Sequence, residues 1–429
     1  MLVSVLVAST TATRTEGDDQ IPTPAPAAPA TTEENDAELM AALEKAADAD
    51  KTTLETTKGS DATNRNDQEK SDPINQLPEG AKRVIGNEAN PSLSIILDTA
   101  FAYFTENDRY RMGGHAPTGT GPAIQGAELA ASASIDPYFR LDMAFGLYHL
   151  HMEEVYATTT SLPWNLQLRA GKFKSDIGRH NPTHLHTWHF VVHPIANEFL
   201  FGAEGMSLPG GELSFLFPIP WYMELKGALQ MGEAGMFRTD TSGDPSFKDF
   251  VYPLRLVQFF DIGDDVALQV GLNSVFAPST IGPESGNRSY AYGADLMFKW
   301  RPIGEGRTGY TFIAWTIEGW FREMEVPDDI WRDAGGYTDL VFGIHKRWEA
   351  ALRGELWRSV SGGSVADDIE RARFGADTLR GSAAVSFMPS HFSRVRLQYA
   401  IEDMDGYDLS QSIFLQLEVS AGAHGAHKY

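Results

Sequence analysis

The stretch GRHNPTHLHTWHFVVH, residues 178–193, holds five of the chain's twelve histidines: His180, His184, His186, His189 and His193. Neutral imidazole binds borderline divalent ions and titrates near pH 6.5, so the segment is a candidate for transient metal binding. Asn181-Pro182 forms a cap and first-turn pair, and Pro194 stops a helix after His193. The spacing therefore predicts a short proline-bracketed helix. At about 100° per residue, His186, His189 and His193 fall on one face while His184 points away. Those three are the candidate metal ligands, with Glu198 or Glu204 to complete the shell. His180 and His184 are candidate contacts at a constriction. A competing reading needs no ion: the imidazoles hydrogen-bond a wall and pack beside Trp188 and Phe190.

Composition removes several other chemistries. The chain has 429 residues, no cysteine and a formal charge of -23. Without cysteine there are no disulfides, thiolate metal sites or cysteine nucleophiles. The acidic balance disfavours a nucleic-acid partner, because phosphates need cations. There is no Gly-rich phosphate loop, nucleophile elbow or H-E-x-x-H, and no Ser/His/acid set at convergent positions, so no enzyme is expected. No apolar run approaches the ~18 residues of a membrane-spanning helix.

The elements that would position the histidines begin after residue 90. Residues 1–12 contain LVSVLVA, either the remnant of a signal peptide without its basic start or an apolar tip. Residues 13–90 form a low-complexity arm that includes the Pro/Ala-rich stretch PTPAPAAPATTEEN. A short helix with a narrow Leu39, Met40, Leu43 stripe is expected near 36–50, and the rest of the arm is expected to be disordered.

Residues 91–429 change character. Period-two alternation recurs, as in RSYAYGADLMFKW from Arg288 and SQSIFLQLEVS from Ser410. Each apolar face is about ten residues long and carries aromatics near its ends, the pattern of a transmembrane β-strand. Tight turns, such as Asp136-Pro137-Tyr138 and SLPWN, alternate with mostly longer polar stretches, such as 105–123, 175–203 and 322–335. The expectation is an all-β fold, an antiparallel transmembrane barrel of about 16 strands whose lumen is porin-sized.

The polar faces would line that lumen. They carry Glu128, Arg169, Glu224, Lys226, Asp295, Lys299, Arg353, Glu355, Arg394, Arg396 and Glu418. Like-charged rings would set ion selectivity. Mixed signs also fit cross-strand ion pairs that stiffen the wall. The barrel region has 27 basic and 41 acidic residues, a balance of -14 that mildly favours cations.

The runs ELAASASIDPYFRLDMAFGLY and EEVYATTTSLPWNLQLRAGKFKSDIGRHNPTHLHTWHF, with the ending FLQLEVSAGAHGAHKY, resemble the phosphate-selective porin superfamily of Gram-negative outer membranes. They resemble most closely its relatives labelled zinc-regulated outer-membrane receptors or porins. The resemblance covers roughly residues 90–429. It implies an outer-membrane location among lipid and lipopolysaccharide, insertion by the barrel-assembly machinery, a homotrimer, and a third outer loop that folds into the pore. The arm would then lie in the periplasm. Phosphate specificity does not carry over, since Arg169 and Arg353 lie on strands distant from Arg394 and Arg396. An energy-coupled receptor is disfavoured too, because it needs about 22 strands and a plug domain larger than residues 1–90. The expected function is passive passage of small hydrophilic solutes or ions, with zinc among the candidates and no resident cofactor. The alternative is a structural or binding barrel whose arm tethers the envelope.

Overall fold

The structure, a computed structural model, describes residues 91–106, 114–148, 150–241, 246–283, 286–302, 310–362 and 375–422. The apolar start, the arm with its expected helix, and the tail bearing His424, His427 and Tyr429 lie outside the described residues.

Among the described residues there are eighteen strands, and sixteen close into one antiparallel barrel. In chain order the barrel strands are β1 (Ser92–Phe104), β2 (Gly121–Ser134), β3 (Phe139–Gly146), β4 (His151–Thr159), β5 (Leu166–Lys174), β6 (Ser207–Leu216) and β7 (Tyr222–Gln230). They continue with β10 (Tyr252–Ile262), β11 (Val266–Pro278), β12 (Arg288–Trp300), β13 (Phe312–Val326), β14 (Asp329–His345), β15 (Trp348–Ser361), β16 (Thr378–Ser390), β17 (Ser393–Met404) and β18 (Ser410–Gly422). Two further short strands, β8 (Glu233–Ala234) and β9 (Phe237–Arg238), pair with each other as a separate two-stranded sheet. Closure is made by β1 against β18, in register from Ser94↔Gly422 to Phe104↔Ser412. Closure leaves no unpaired strand edge, which matters most where no water can satisfy one.

The alternation in the sequence becomes the two faces of the wall. On β1, Leu93, Ile95, Leu97, Phe101 and Tyr103 point outward and Ser94, Ile96, Asp98, Ala100 and Ala102 inward. On β18, Ile413, Leu415, Leu417 and Val419 point outward against inward Ser412, Gln416 and Glu418. The outer surface is thus an apolar belt. Large aromatics stand exposed near the turn ends: Tyr138, Trp164, Trp221, Trp348 and Phe392. The turns are chemically defined. Asp136 Oδ1 accepts the backbone N–H groups of Tyr138 and Phe139, both at 2.8 Å, which closes the β2–β3 turn.

One expected loop is instead a hairpin. The stretch 322–335 continues β13 and β14 to a two-residue turn at Pro327-Asp328, with Asp328 at φ 65°. Its charge reads as loop, yet Arg322, Met324, Val326, Trp331 and Asp333 alternate inward and are buried. Glu323 and Glu325 point away from that core, so polarity hid a period-two pattern.

The segment between β5 and β6, residues 175–206, turns into the barrel. It contains one α-helix, α1 (Ile195–Phe201), which packs on β13, β14 and β15. Ile195, Phe199, Leu200 and Phe201 join Ile177, Trp320, Trp331 and Trp357 in the main apolar core, which lies inside the barrel. Val191 and Val192 pack against Ala100, Ala102, Phe104 and Phe414 on β1 and β18. Phe190 packs against Val341, Ala351 and Ala384.

Candidate functional site

The infolded loop is held by strand arginines, each donating to a backbone carbonyl of the loop. Arg353 donates to Val192 O (3.1 Å) and chelates Asp339 through Nε and Nη2, both at 2.7 Å. Arg380 donates to His193 O (2.5 Å) and pairs with Glu355. Arg396, fully buried, donates to Phe190 O (3.2 Å) and Trp188 O. Arg394 donates to His186 O (2.9 Å) and pairs with Glu418. Arg255 donates to Gly178 O and pairs with Asp295 (3.0 Å), and Arg322 donates to Phe199 O (3.3 Å) and pairs with Asp333 (2.8 Å). A guanidinium carries several donors in a fixed fork, so it can satisfy a carboxylate and a carbonyl together.

Acceptors on the wall take the loop's N–H groups. Glu318 accepts from Arg179 N (2.6 Å) and His180 N (3.2 Å), and Glu355 Oε1 accepts from Ile195 N (2.9 Å) at the start of α1. Gly178 enters this bed at φ 62°, where a Cβ would meet Glu318 Oε1 at 2.3 Å. A side chain there would be strained and crowded.

The expected histidine helix does not form. Residues 185–187 make one 3₁₀ turn, and Pro194 begins α1 rather than ending a helix. Proline suits a helix start, where its missing N–H has no intrahelical partner to lose. His186, His189 and His193 therefore do not share a face. His193 Nδ1 meets His180 Nε2 at 3.1 Å, and both rings pack on Trp188. His189 Nδ1 lies 2.8 Å from Glu349. His186 stacks on His184 with ring centroids 5.8 Å apart. Of the acids named to complete the shell, Glu204 lies 3.5 Å from His115 instead.

Among the described residues, the two larger interior chambers border this segment, both edged by Asp176, Pro182, Thr183 and Thr187. The larger, about 580 Å³, lies against β7 and β10–β15; the smaller, about 260 Å³, lies against β1–β5. Of the residues expected on the lumen faces, Glu224, Lys226, Lys299 and Arg353 line the larger chamber. Arg169 and Glu128 line the smaller. Asp295, Glu355, Arg394, Arg396 and Glu418 lie beneath the loop as anchors or anchor partners. Arg169 pairs across strands with Glu212 at 2.8 Å, whereas Lys226 pairs with Glu224 two residues along the same strand at 3.2 Å and with Asp176 of the loop.

At the smaller chamber, His184 faces three carboxylates. Its Nδ1 is 3.3 Å from Glu128 and 3.5 Å from Glu153, and its Nε2 is 2.7 Å from Glu154. Burial works against protonation here, but Glu128 and Glu153 outweigh it and hold this imidazole well above the usual histidine range. His180 and His193 go the other way. Burial, reinforced at His180 by Arg353 and Lys174 and at His193 first by His180, pushes both well below that range, so they stay neutral.

Glu153 and Glu154 were not anticipated as site residues. Strict alternation puts only one of two consecutive residues inward. A bulge changes that: Ala144 pairs with Glu154 and Phe145 with Met152, so Glu153 is the extra residue and both glutamates are buried. Arg255, Arg322 and Arg380 were also missed, although each sits on an inward position of an alternating strand.

No family model matches the chain. A protein of Aquifex aeolicus described only as uncharacterized is 27% identical over 390 residues, 79% of this chain and 80% of that one. Two solved structures superpose over 77% of the chain with TM-scores of 0.51. One is OmpT, an outer membrane protein of Vibrio cholerae (11% identity, 97% of that chain covered). The other is an anion-selective porin from Comamonas acidovorans (10% identity, 99% covered). At such identities the likeness is one of fold.

Proposed function

We propose that this chain is a passive outer-membrane channel for small hydrophilic solutes and ions. The observation that carries the reading is the pinned loop. It crosses a barrel too wide for side chains alone to fill and leaves a chamber on each side, which is what a selective constriction requires. The apolar outer belt with aromatics at the turns supports a membrane setting, since backbone polar groups in lipid are satisfied only in helices and closed barrels. The fold shared with two outer-membrane proteins, one of them a porin, supports the same location.

The superfamily resemblance, carried by runs within residues 128–190 and the ending from Phe414, supports a Gram-negative outer membrane, assembly as a trimer, and the arm on the periplasmic side. Phosphate selectivity gains no support, because the inward arginines bind loop carbonyls and carboxylates rather than forming a free ladder. Divalent cations are better candidates than phosphate, given the barrel region's excess of acidic residues.

Planar-bilayer recording on purified, refolded protein tests the reading. Discrete, long-lived conductance steps are expected. A folded barrel that opens no steps would overturn it.

A further inference from the structure

We infer that Glu128, Glu153 and His184 form a binding site for a borderline divalent cation of the Zn²⁺ type at the smaller chamber; this cation class rests on the channel reading above. Three elements supply the donors: β2, the bulge of β4 and the infolded loop. One ligand atom from each residue lies within 4.8 Å of the others.

The separations are those of a coordination shell rather than of hydrogen bonds. His184 Nδ1 sits 3.3 Å from one carboxylate oxygen and 3.5 Å from the other. Both exceed the usual 2.7–3.2 Å of an N–H···O bond, and neither acid is favoured. Zn–N and Zn–O bonds of about 2.1 Å in a tetrahedron place neighbouring donors roughly 3.4 Å apart. The nitrogen already stands at that separation from both oxygens, the two oxygens lie within 4.8 Å of each other, and the chamber side remains for water or a passing ligand.

A second observation concerns the other side of the ring. His184 Nε2 meets Glu154 Oε2 at 2.7 Å, and Glu154 Oε1 in turn accepts the backbone N–H of Lys174 at 2.5 Å. A carboxylate on the distal nitrogen is the usual support of a metal-bound histidine, fixing its tautomer and ring orientation. Here it directs the Nδ1 lone pair at the two acids once the Nδ1 proton leaves. Binding M²⁺ then exchanges one proton on His184 for two positive charges between two carboxylates.

Access is available, because Glu128, Glu154, His184 and His186 all line the smaller chamber. Lys174 lies within electrostatic reach of Glu153 and Glu154 and opposes a cation, which favours reversible occupancy over a permanent structural ion. One nitrogen and two oxygens fit zinc better than magnesium or calcium, which take six or more oxygens.

Equilibrium dialysis of refolded, heat-modifiable protein against Zn²⁺ tests the site. One ion per chain is expected, not displaced by excess Mg²⁺. Glu128→Gln and His184→Ala should each weaken binding by at least about tenfold, and Glu154→Gln by roughly 10-fold or more. Co²⁺ titration of the wild type needs no variant and should give the intense visible absorption of a four-coordinate site, abolished by Zn²⁺. Absence of that absorption with no zinc bound, or affinity unchanged in both Glu128→Gln and His184→Ala, would overturn the site. Dialysis is independent of conductance: a barrel that conducts without binding zinc loses only the site, and one that binds zinc without conducting loses only the channel.

Discussion

The two chambers on either side of the loop are built from different walls. The larger is bordered by Val257, Phe259, Met297, Phe312, Ala314 and Val341, apolar side chains on inward positions of β10, β12, β13 and β14. Its ionic groups include Arg179, whose guanidinium reaches the neutral Gln269 at 2.8 Å, and Lys299 over the Phe312 ring. The smaller chamber is bordered by small and polar residues, with Glu128, Asp142 and Glu154 against Arg140, Arg169 and Lys174. One side is the larger and part apolar; the other is smaller, with acids gathered around His184. One loop makes both, so its docking governs the contrast between them.

Unpinning the loop should have the largest effect. Arg396 is fully buried and bridges Trp188 O, Phe190 O, Gln416 and Ser386. Arg396→Met leaves these acceptors without their donor, and each buried acceptor left unsatisfied costs roughly 1–3 kcal/mol. The loop should undock, the chambers should merge, and single-channel conductance should rise about twofold or more with added noise. Limited proteolysis should then cleave within residues 181–192 of the variant but not of the wild type. Unchanged conductance and resistance would mean that the apolar contacts of Phe190, Val191 and Val192 suffice to hold it.

Acid should act on the same hinge more gently. His180 and His193 are neutral because burial lowers both, reinforced by Arg353 and Lys174. An undocked loop takes up protons as pH falls through the ordinary histidine value of about 6.5, whereas the docked loop does so only at lower pH. Docking is therefore unaffected above about pH 7 and weakens below about 6.5, by up to ~1.4 kcal/mol per pH unit for each histidine. Conductance should grow noisier between pH 6.5 and 5. A His180→Gln, His193→Gln double variant should flatten that response.

How much of this was legible follows from which signals are periodic. The wall was, because alternation, apolar faces and turn chemistry repeat sixteen times, and β12 matches the expected 288–300 residue for residue. Errors fell where a second force overrode period or polarity. The 322–335 hairpin extends beyond its expected end because the loop core buries Met324, Val326 and Trp331. The histidine segment is irregular because its backbone groups bond to Arg353, Arg380, Arg396 and Glu318 on remote strands, so no helix is needed to satisfy them. The grouping of Glu128, Glu153 and His184 needs both a bulge and the loop's path, and neither leaves a local mark in sequence.

The smallest expected effect separates the chambers by charge alone. Arg179→Gln removes a cation of the larger chamber, whose guanidinium hydrogen-bonds Gln269 among the described residues. Arg140→Gln removes one from the smaller, where Arg140 is half exposed and bonds Asp142 at 2.7 Å. If solutes pass mainly through the larger chamber, reversal potentials in a salt gradient should move toward cation preference by about twofold in permeability ratio for Arg179→Gln, and hardly at all for Arg140→Gln. Exposed pairs such as Arg140–Asp142 contribute at most about 1 kcal/mol, so that variant should fold and conduct normally. The reverse pattern would assign conduction to the smaller chamber, and equal shifts would mean that ions use both sides of the loop.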